Sequence, residues 1–146
     1  MRTLAIDLGS RRVGFALSDE GGKFATPYEV FEVTSPAQAA DRAAAIIERE
    51  GVERIVLGLP LNMDDSVGPQ ARETIAWGRA LSHRSGKPVI FIDERLSSFE
   101  AEQGLIARKR GGEKITRKRK KEQLDALAAA GFLQAFLDGK LAPLDA

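Results

Sequence analysis

Cysteine is absent from all 146 residues, which excludes disulfides, thiolate metal sites and thiol nucleophiles and suits a reducing cytosol. Histidine occurs once, at His83, near a predicted helix end where a surface position is expected. No apolar run approaches the roughly 20 residues needed to span a bilayer. Met1-Arg2-Thr3 leads directly into a strand, without the pattern of a signal peptide. The expectation is a cytoplasmic protein with no membrane partner. What is present is ordinary for one globular domain: 43% hydrophobic and 29% charged residues, in a chain long enough to bury a proper core.

The net charge of +1 conceals an asymmetry. Between Arg108 and Lys121 stand nine basic residues, Arg108, Lys109, Arg110, Lys114, Arg117, Lys118, Arg119, Lys120 and Lys121, against the single acid Glu113. The remainder of the chain carries a net −7. A like-charged block of this density reads as a mobile interaction segment within the single domain, and its natural partner is a polyanion.

Apolar patterning gives strands over Arg2–Asp7, Val13–Asp19 and about Phe24–Val33, with a tight turn at Gly21-Gly22. Pro27 in the third strand predicts an edge position or a bulge. The period then changes. Ser35-Pro36 with Gln38 opens a helix that ends near Glu50 before Gly51. A strand over Val52–Leu59, a loop over Pro60–Pro69, a helix over Gln70–Ser85 and a strand over Lys87–Asp93 follow. Ser97 and Glu100 open a further helix, and a last one runs from about Lys118 to Leu137. Trp77, Phe91, Phe132 and Phe136 are expected in the core. An antiparallel three-strand meander followed by alternating helices and strands predicts an α/β fold, a mixed five-stranded sheet with helices on both faces.

Asp7 closes the first strand, followed by Gly9 where the backbone must turn. In open α/β sheets ligands bind beyond the carboxyl ends of the parallel strands. Asp93-Glu94 ends the last strand, and neighbouring strand residues point to opposite faces. Glu94 shares the parity of Ile90 and Ile92 and is favoured as a ligand, with Asp93 in reserve. Asp125 lies in the small, apolar stretch Leu124-Asp125-Ala126-Leu127-Ala128-Ala129-Ala130, which would let the last helix lie close to the sheet. Lys121, one turn earlier, can pair with it. Three hard oxygen ligands with no cysteine favour Mg²⁺ or Mn²⁺, one or two ions, over zinc. Paired ions of this kind support phosphodiester hydrolysis. Arg11, Arg12 and Arg95 can grip the phosphate backbone. Asn62, Asp64 and Ser66, in the loop after the fourth strand, either reach substrate or form the turn.

Four stretches, Asp7–Asp19, Val56–Gly68, Asp93–Ser98 and Lys121–Ala129, together resemble the YqgF/RuvX family of Holliday-junction-resolvase-like nucleases, also assigned to ribosomal RNA precursor processing. The resemblance implies an RNase H-like fold and metal-dependent nuclease activity, with Asp7, Glu94 and Asp125 on the family's acidic positions. It further implies a bacterial cytoplasmic setting and cleavage near the 5′ end of the small-subunit ribosomal RNA precursor. Asp65 stands where the family usually has glycine, and Ser97-Ser98 replace a commoner threonine pair.

The expected substrate is structured RNA such as pre-rRNA, with the ribosome as a further partner, or branched DNA. Cutting one strand needs only a monomer, whereas resolving a four-way junction needs the two sites of a homodimer. Two rivals stand beside the nuclease. One is a non-catalytic nucleic-acid-binding or ribosome-assembly factor that retains the fold. The other is an actin-like nucleotide-binding module, for which the chain is one domain too short.

Overall fold

The computed structural model describes residues 1–64, 66–93 and 117–144, with the side chains of 117–125 excepted. The predicted helix opened by Ser97 lies outside the described residues.

Strands β1 (Thr3–Leu8), β2 (Arg12–Ser18), β3 (Ala25–Glu32), β4 (Arg54–Leu59) and β5 (Val89–Asp93) form one sheet in the order β3-β2-β1-β4-β5. β1 to β3 are an antiparallel meander, while β4 and β5 run parallel to β1. The expected mixed sheet is what forms. β3 is an edge strand, and its pairing with β2 slips by one residue at Tyr28, next to Pro27, so both readings of that proline hold. The expected tight turn at Gly21-Gly22 forms, with Gly22 N–H donating to the Asp19 carbonyl (3.1 Å), inside a longer β2–β3 loop. Asp19 N–H donates to the Phe24 carbonyl (3.1 Å), and the Asp19 carboxylate accepts from the N–H groups of Lys23 (2.8 Å) and Phe24 (2.9 Å). These two backbone donors, Phe24 first, hold the Asp19 carboxyl below the usual carboxylate range. Within the loop only Gly22 adopts positive φ (69°).

Helices α1 (Pro36–Glu50) and α2 (Pro69–Ser85) cover one face. Ser35 caps α1 by accepting from the Gln38 N–H (3.3 Å), and Gln38 answers by accepting from the Thr34 N–H (2.7 Å). Ala39, Ala43, Ile46 and Ile47 recur at helical spacing and are buried against Leu4, Ile6, Phe15, Ile55 and Leu57. α2 approaches the sheet most closely at Gly78, where a Cβ would stand 2.6 Å from a methyl of Leu57 and 2.9 Å from the Phe91 ring.

The other face is covered, among the described residues, by α3 (Arg117–Leu137), whose Ala129, Ala130, Phe132 and Leu133 bury Ala5, Ala16, Val56 and Ile92. The small residues do bring this helix against the sheet. Its direction is fixed at its C-terminal half. The Gln134 amide accepts from Ala25 N–H (2.8 Å) and donates to the Lys23 carbonyl (2.9 Å), and the Arg54 guanidinium lies 5.0 Å over the Phe136 ring. Ala25 pairs with Ser18, whose hydroxyl accepts from Thr3 N–H (2.8 Å), and Arg54 pairs with Thr3. The end of α3 therefore lies level with the start of β1 and β4, and its N-terminal half rises toward the carboxyl ends of those strands. After Gly139 the chain turns back, and Leu144 N–H donates to the Phe91 carbonyl (2.7 Å) on the outer edge of β5.

Phe91 and Phe132 are core residues as expected, but Trp77 and Phe136 are only half-buried at its margins. His83 is exposed in the last turn of α2.

Candidate active site at the carboxyl ends of the strands

Along β1, Leu4 and Ile6 face α1 and α2 whereas Ala5 faces α3. By this alternation Asp7 stands on the α3 side, half-buried, at the carboxyl end of the strand. Its partner on β2 is Gly14, which shares the parity of Ala16. On β4, Gly58 follows Leu57, the partner of Ile6, and shares the parity of Val56. The carboxylate is thus bordered on both neighbouring strands by residues without side chains. Sequence inspection passed over Gly14 and Gly58, although an in-strand glycine is a usable signal of close approach.

On β5 the same alternation separates the two acids. Asp93 follows Val89 and Phe91 toward the α2 side, while Ile90 and Ile92 face α3. Asp93 is therefore on the opposite face from Asp7. Glu94 lies outside the described residues, as do Arg95, Ser97, Ser98, Arg108, Lys109, Arg110, Lys114 and Asp65. Arg117, Lys118, Arg119, Lys120 and Lys121 fall on the first turns of the α3 backbone and Asp125 further along it, with their side chains outside the description. Ala129, one turn after Asp125, is fully buried. Among the described residues no three acidic or histidine side chains converge as a metal-binding group.

The turn after Asp7 is tight. Gly9 N–H donates to the Arg12 carbonyl (2.9 Å), and a Cβ on Gly9 would meet that same oxygen at 2.7 Å. Glycine is needed here for space, since its φ is not among the positive ones. Arg11 and Arg12 follow, and Val33 N–H donates to the Arg11 carbonyl (2.9 Å), tying the turn to the end of β3. Both arginines line a groove of about 880 Å³ that continues to Arg42 and Gln38. Arg42 is neutralised there by a bidentate pair with Glu29 and lies 5.0 Å over the Phe31 ring.

In the loop after β4, the side chains expected either to reach substrate or to form the turn bond to one another. Asn62 Nδ2 donates to Ser66 Oγ (2.9 Å), and the Asp64 carboxylate accepts from the Ser66 hydroxyl (2.5 Å) and N–H (3.0 Å). The hydroxyl first, then the amide, lowers the Asp64 carboxyl from its ordinary value. Among the described residues no helix is long and apolar enough to cross a membrane.

The sequence profile of RuvX, described as a Holliday junction resolvase, matches residues 1–139. A relative from Desulforudis audaxviator (strain MP104C), named "Putative pre-16S rRNA nuclease", is 40% identical over 140 residues, 96% of each chain. One of the same name from Syntrophomonas wolfei is 41% identical over 139 residues, 95% of each chain. Among solved structures, Thermus thermophilus RuvC in complex with a Holliday junction substrate covers 99% of both chains at a TM-score of 0.60 and 18% identity. The fowlpox virus resolvase with Holliday junction DNA reaches 0.56 at 10% identity, over 95% of this chain and 98% of that one. These likenesses show the fold, which is that of RuvC and hence RNase H-like. Matched by the profile over nearly its whole length and by relatives at two-fifths identity, the chain belongs to the RuvX family.

Proposed function

We propose that this protein is a metal-dependent nuclease that hydrolyses phosphodiester bonds in structured RNA, the 5′ region of pre-16S rRNA in ribosome biogenesis, in the cytoplasm. RNA is favoured over branched DNA by the names of relatives at about 40% identity, since the junction-bound neighbours are far more distant. Cutting one strand requires a single site, so a monomer suffices.

The observation that carries the proposal is the position of Asp7, at the carboxyl end of β1 on the α3 side, between Gly14 and Gly58. The heights of the chain support Asp125 as its companion. From Gln134 back to Asp125 the helix climbs about 14 Å at ~1.5 Å per residue. From Thr3, level with Gln134, to Asp7 the strand climbs about 13 Å at ~3.3 Å per residue. The reserve acid Asp93 faces away, which favours Glu94 as the third member.

An all-oxygen donor set, with no cysteine and the one histidine exposed on α2, fits a hard divalent cation, Mg²⁺ or Mn²⁺, in one or two copies. Such ions, when bound, activate water and stabilise the leaving oxygen of a phosphodiester. Asp7, Glu94 and Asp125 would hold them. Arg11, Arg12 and Arg95 hold phosphates on either side of the scissile bond, and the basic segment 108–121 gathers the strand. The exposed turn side chains of Asn62, Asp64 and Ser66 support the loop beside this site.

Asp7→Asn tests the assignment, because it removes the charge at nearly constant shape. Incubated with Mn²⁺ and precursor ribosomal RNA or synthetic junctions, the variant should fold and bind but cut at least about 10²-fold more slowly, the scale of losing one directly acting electrostatic group. Undiminished cleavage would overturn it. Tight, Mg²⁺-independent binding by a wild type that cuts neither RNA nor DNA would instead identify a non-catalytic ribosome-assembly factor.

A further inference from the structure

Behind the Gly9–Arg12 turn, between the start of α1 and the first turns of α2, lies a second cavity of about 280 Å³. Gly9, Ser10, Gln70, Glu73, Thr74 and Trp77 line it. Pockets for whole drug-sized ligands run from roughly 300 to 1,000 Å³, so this one suits a single planar ring system. Trp77 is held rigidly. Its indole N–H donates to the Pro36 carbonyl (2.9 Å) and part of its ring packs on the core, leaving the remainder to the cavity. The buried Thr74 hydroxyl is satisfied by donating to the Gln70 carbonyl (2.9 Å), so it imposes no demand on an occupant.

The turn is a saddle between two surfaces of opposite character. Gly9 and Ser10 line this cavity, and the same two residues share a small groove with Arg11 and Arg12, which open into the larger one. On the other side Arg11 and Arg12 offer guanidinium donors to a phosphate, in a groove that also holds Glu32 and Asp41. On the Trp77 side the lining holds, among the described residues, one carboxylate, Glu73, and no cation, so these residues disfavour a phosphate and accept a neutral ring with N–H donors.

We infer that the Trp77 cavity is a subsite for one unpaired nucleobase of the bound strand, stacked on the indole and read at its N–H edge by Glu73, with adjoining phosphates on Arg11 and Arg12. The inference rests on the proposed action on nucleic acid. Guanine is the best match, because its N1–H and exocyclic amino group present two donors side by side to a carboxylate. A base stacked on an aromatic side chain strengthens binding roughly 5- to 150-fold.

Trp77 is the sole tryptophan, so its fluorescence reports the cavity without labelling. The full-length protein, kept in EDTA to prevent cutting, is titrated with single-stranded oligouridylate carrying one central guanine. Anisotropy of a terminal dye follows binding independently. Saturable quenching of Trp77 is expected, with affinity falling about tenfold when inosine, which lacks the amino group, replaces guanine. Glu73→Ala, an exposed-site change, should bind the guanine and inosine strands equally. Binding seen by anisotropy with unchanged Trp77 emission would overturn the inference. So would equal wild-type affinity for the two strands, or free guanosine monophosphate binding as tightly as the oligonucleotide. Asp7→Asn should quench like wild type. Quenching without catalysis would sink the nuclease assignment and leave the subsite, while cleavage without quenching would do the reverse.

Discussion

Gly9→Ala probes whether the turn beside Asp7 is built to a tolerance smaller than a methyl group. The added Cβ would meet the Arg12 carbonyl oxygen at 2.7 Å, well inside van der Waals contact. That oxygen is a backbone atom and cannot swing aside as a side-chain tip does. Relief comes only by opening the turn, which breaks the 2.9 Å hydrogen bond from Gly9 N–H to the same oxygen. The lost bond costs about 0.5–1.5 kcal/mol, and the residual overpacking about 1–3 kcal/mol. A combined loss of about 2–4 kcal/mol lowers Tm by roughly 5–15 °C in a chain of this size. Catalysis should suffer further, because displacing positioning groups by about 1 Å costs on the order of 10²-fold. The measurement is kcat/KM at a temperature where the variant is still fully folded by circular dichroism, beside a thermal melt. Gly51→Ala is the control. Gly51 has φ 66° at the end of α1 with nothing within 4 Å of its Cβ position, so that variant should lose about 1–2 kcal/mol to backbone strain and no activity. Wild-type Tm together with wild-type kcat/KM in Gly9→Ala would refute the steric argument.

At Gly78 two effects oppose one another. Alanine gains about 1 kcal/mol of helix propensity, but its Cβ enters the space of the buried Leu57 and Phe91 side chains at 2.6 and 2.9 Å. Overpacking of about 1–3 kcal/mol should win. Urea denaturation of Gly78→Ala is expected to show a lower midpoint, with a smaller loss when the same change is made in a Leu57→Ala background, and a more stable single variant would contradict the close packing of α2. Asp19→Ala removes the acceptor for two backbone N–H groups in the β2–β3 loop and should lower Tm by a few degrees at neutral pH. The Asp19 carboxyl is lowered in the folded state, so its contribution is complete above the unfolded value, about 3.9, and lost as pH falls through the lower folded one. The Tm gap between wild type and variant should therefore close in strong acid, and a gap that persists there would show that the charge is not responsible.

The antiparallel meander and the parallel strands were legible because they differ in connection length, and the helix ends at Ser35 and Gly51 because local chemistry alone marks them. The strand-end acid Asp7 was legible for the same local reason. Its surroundings were less so. That Asp93 turns away follows from alternation once β5 is in register, whereas Gly58 comes beside Asp7 only through the long-range parallel pairing of β1 with β4. Trp77 was expected in the core from its apolar bulk. Its ring stops at the margin because its N–H reaches the Pro36 carbonyl, an atom on a different helix. The Gly78 approach and the Gln134 anchor likewise belong to tertiary contacts that no window of neighbouring residues encodes. The direction of α3, on which the proposed pairing of Asp7 with Asp125 relies, rests on that anchor.

Because, among the described residues, the helical cover of one sheet face comes from α3, Ala5, Ala16, Val56 and Ile92 lack that cover while only the first hundred residues have left the ribosome. The nascent chain lacks the apolar cover that residues 129–133 supply until they emerge, and an incompletely covered sheet face is the kind of intermediate that invites chaperone capture or aggregation. Closure joins residues more than a hundred positions apart, a large loop entropy paid late in synthesis.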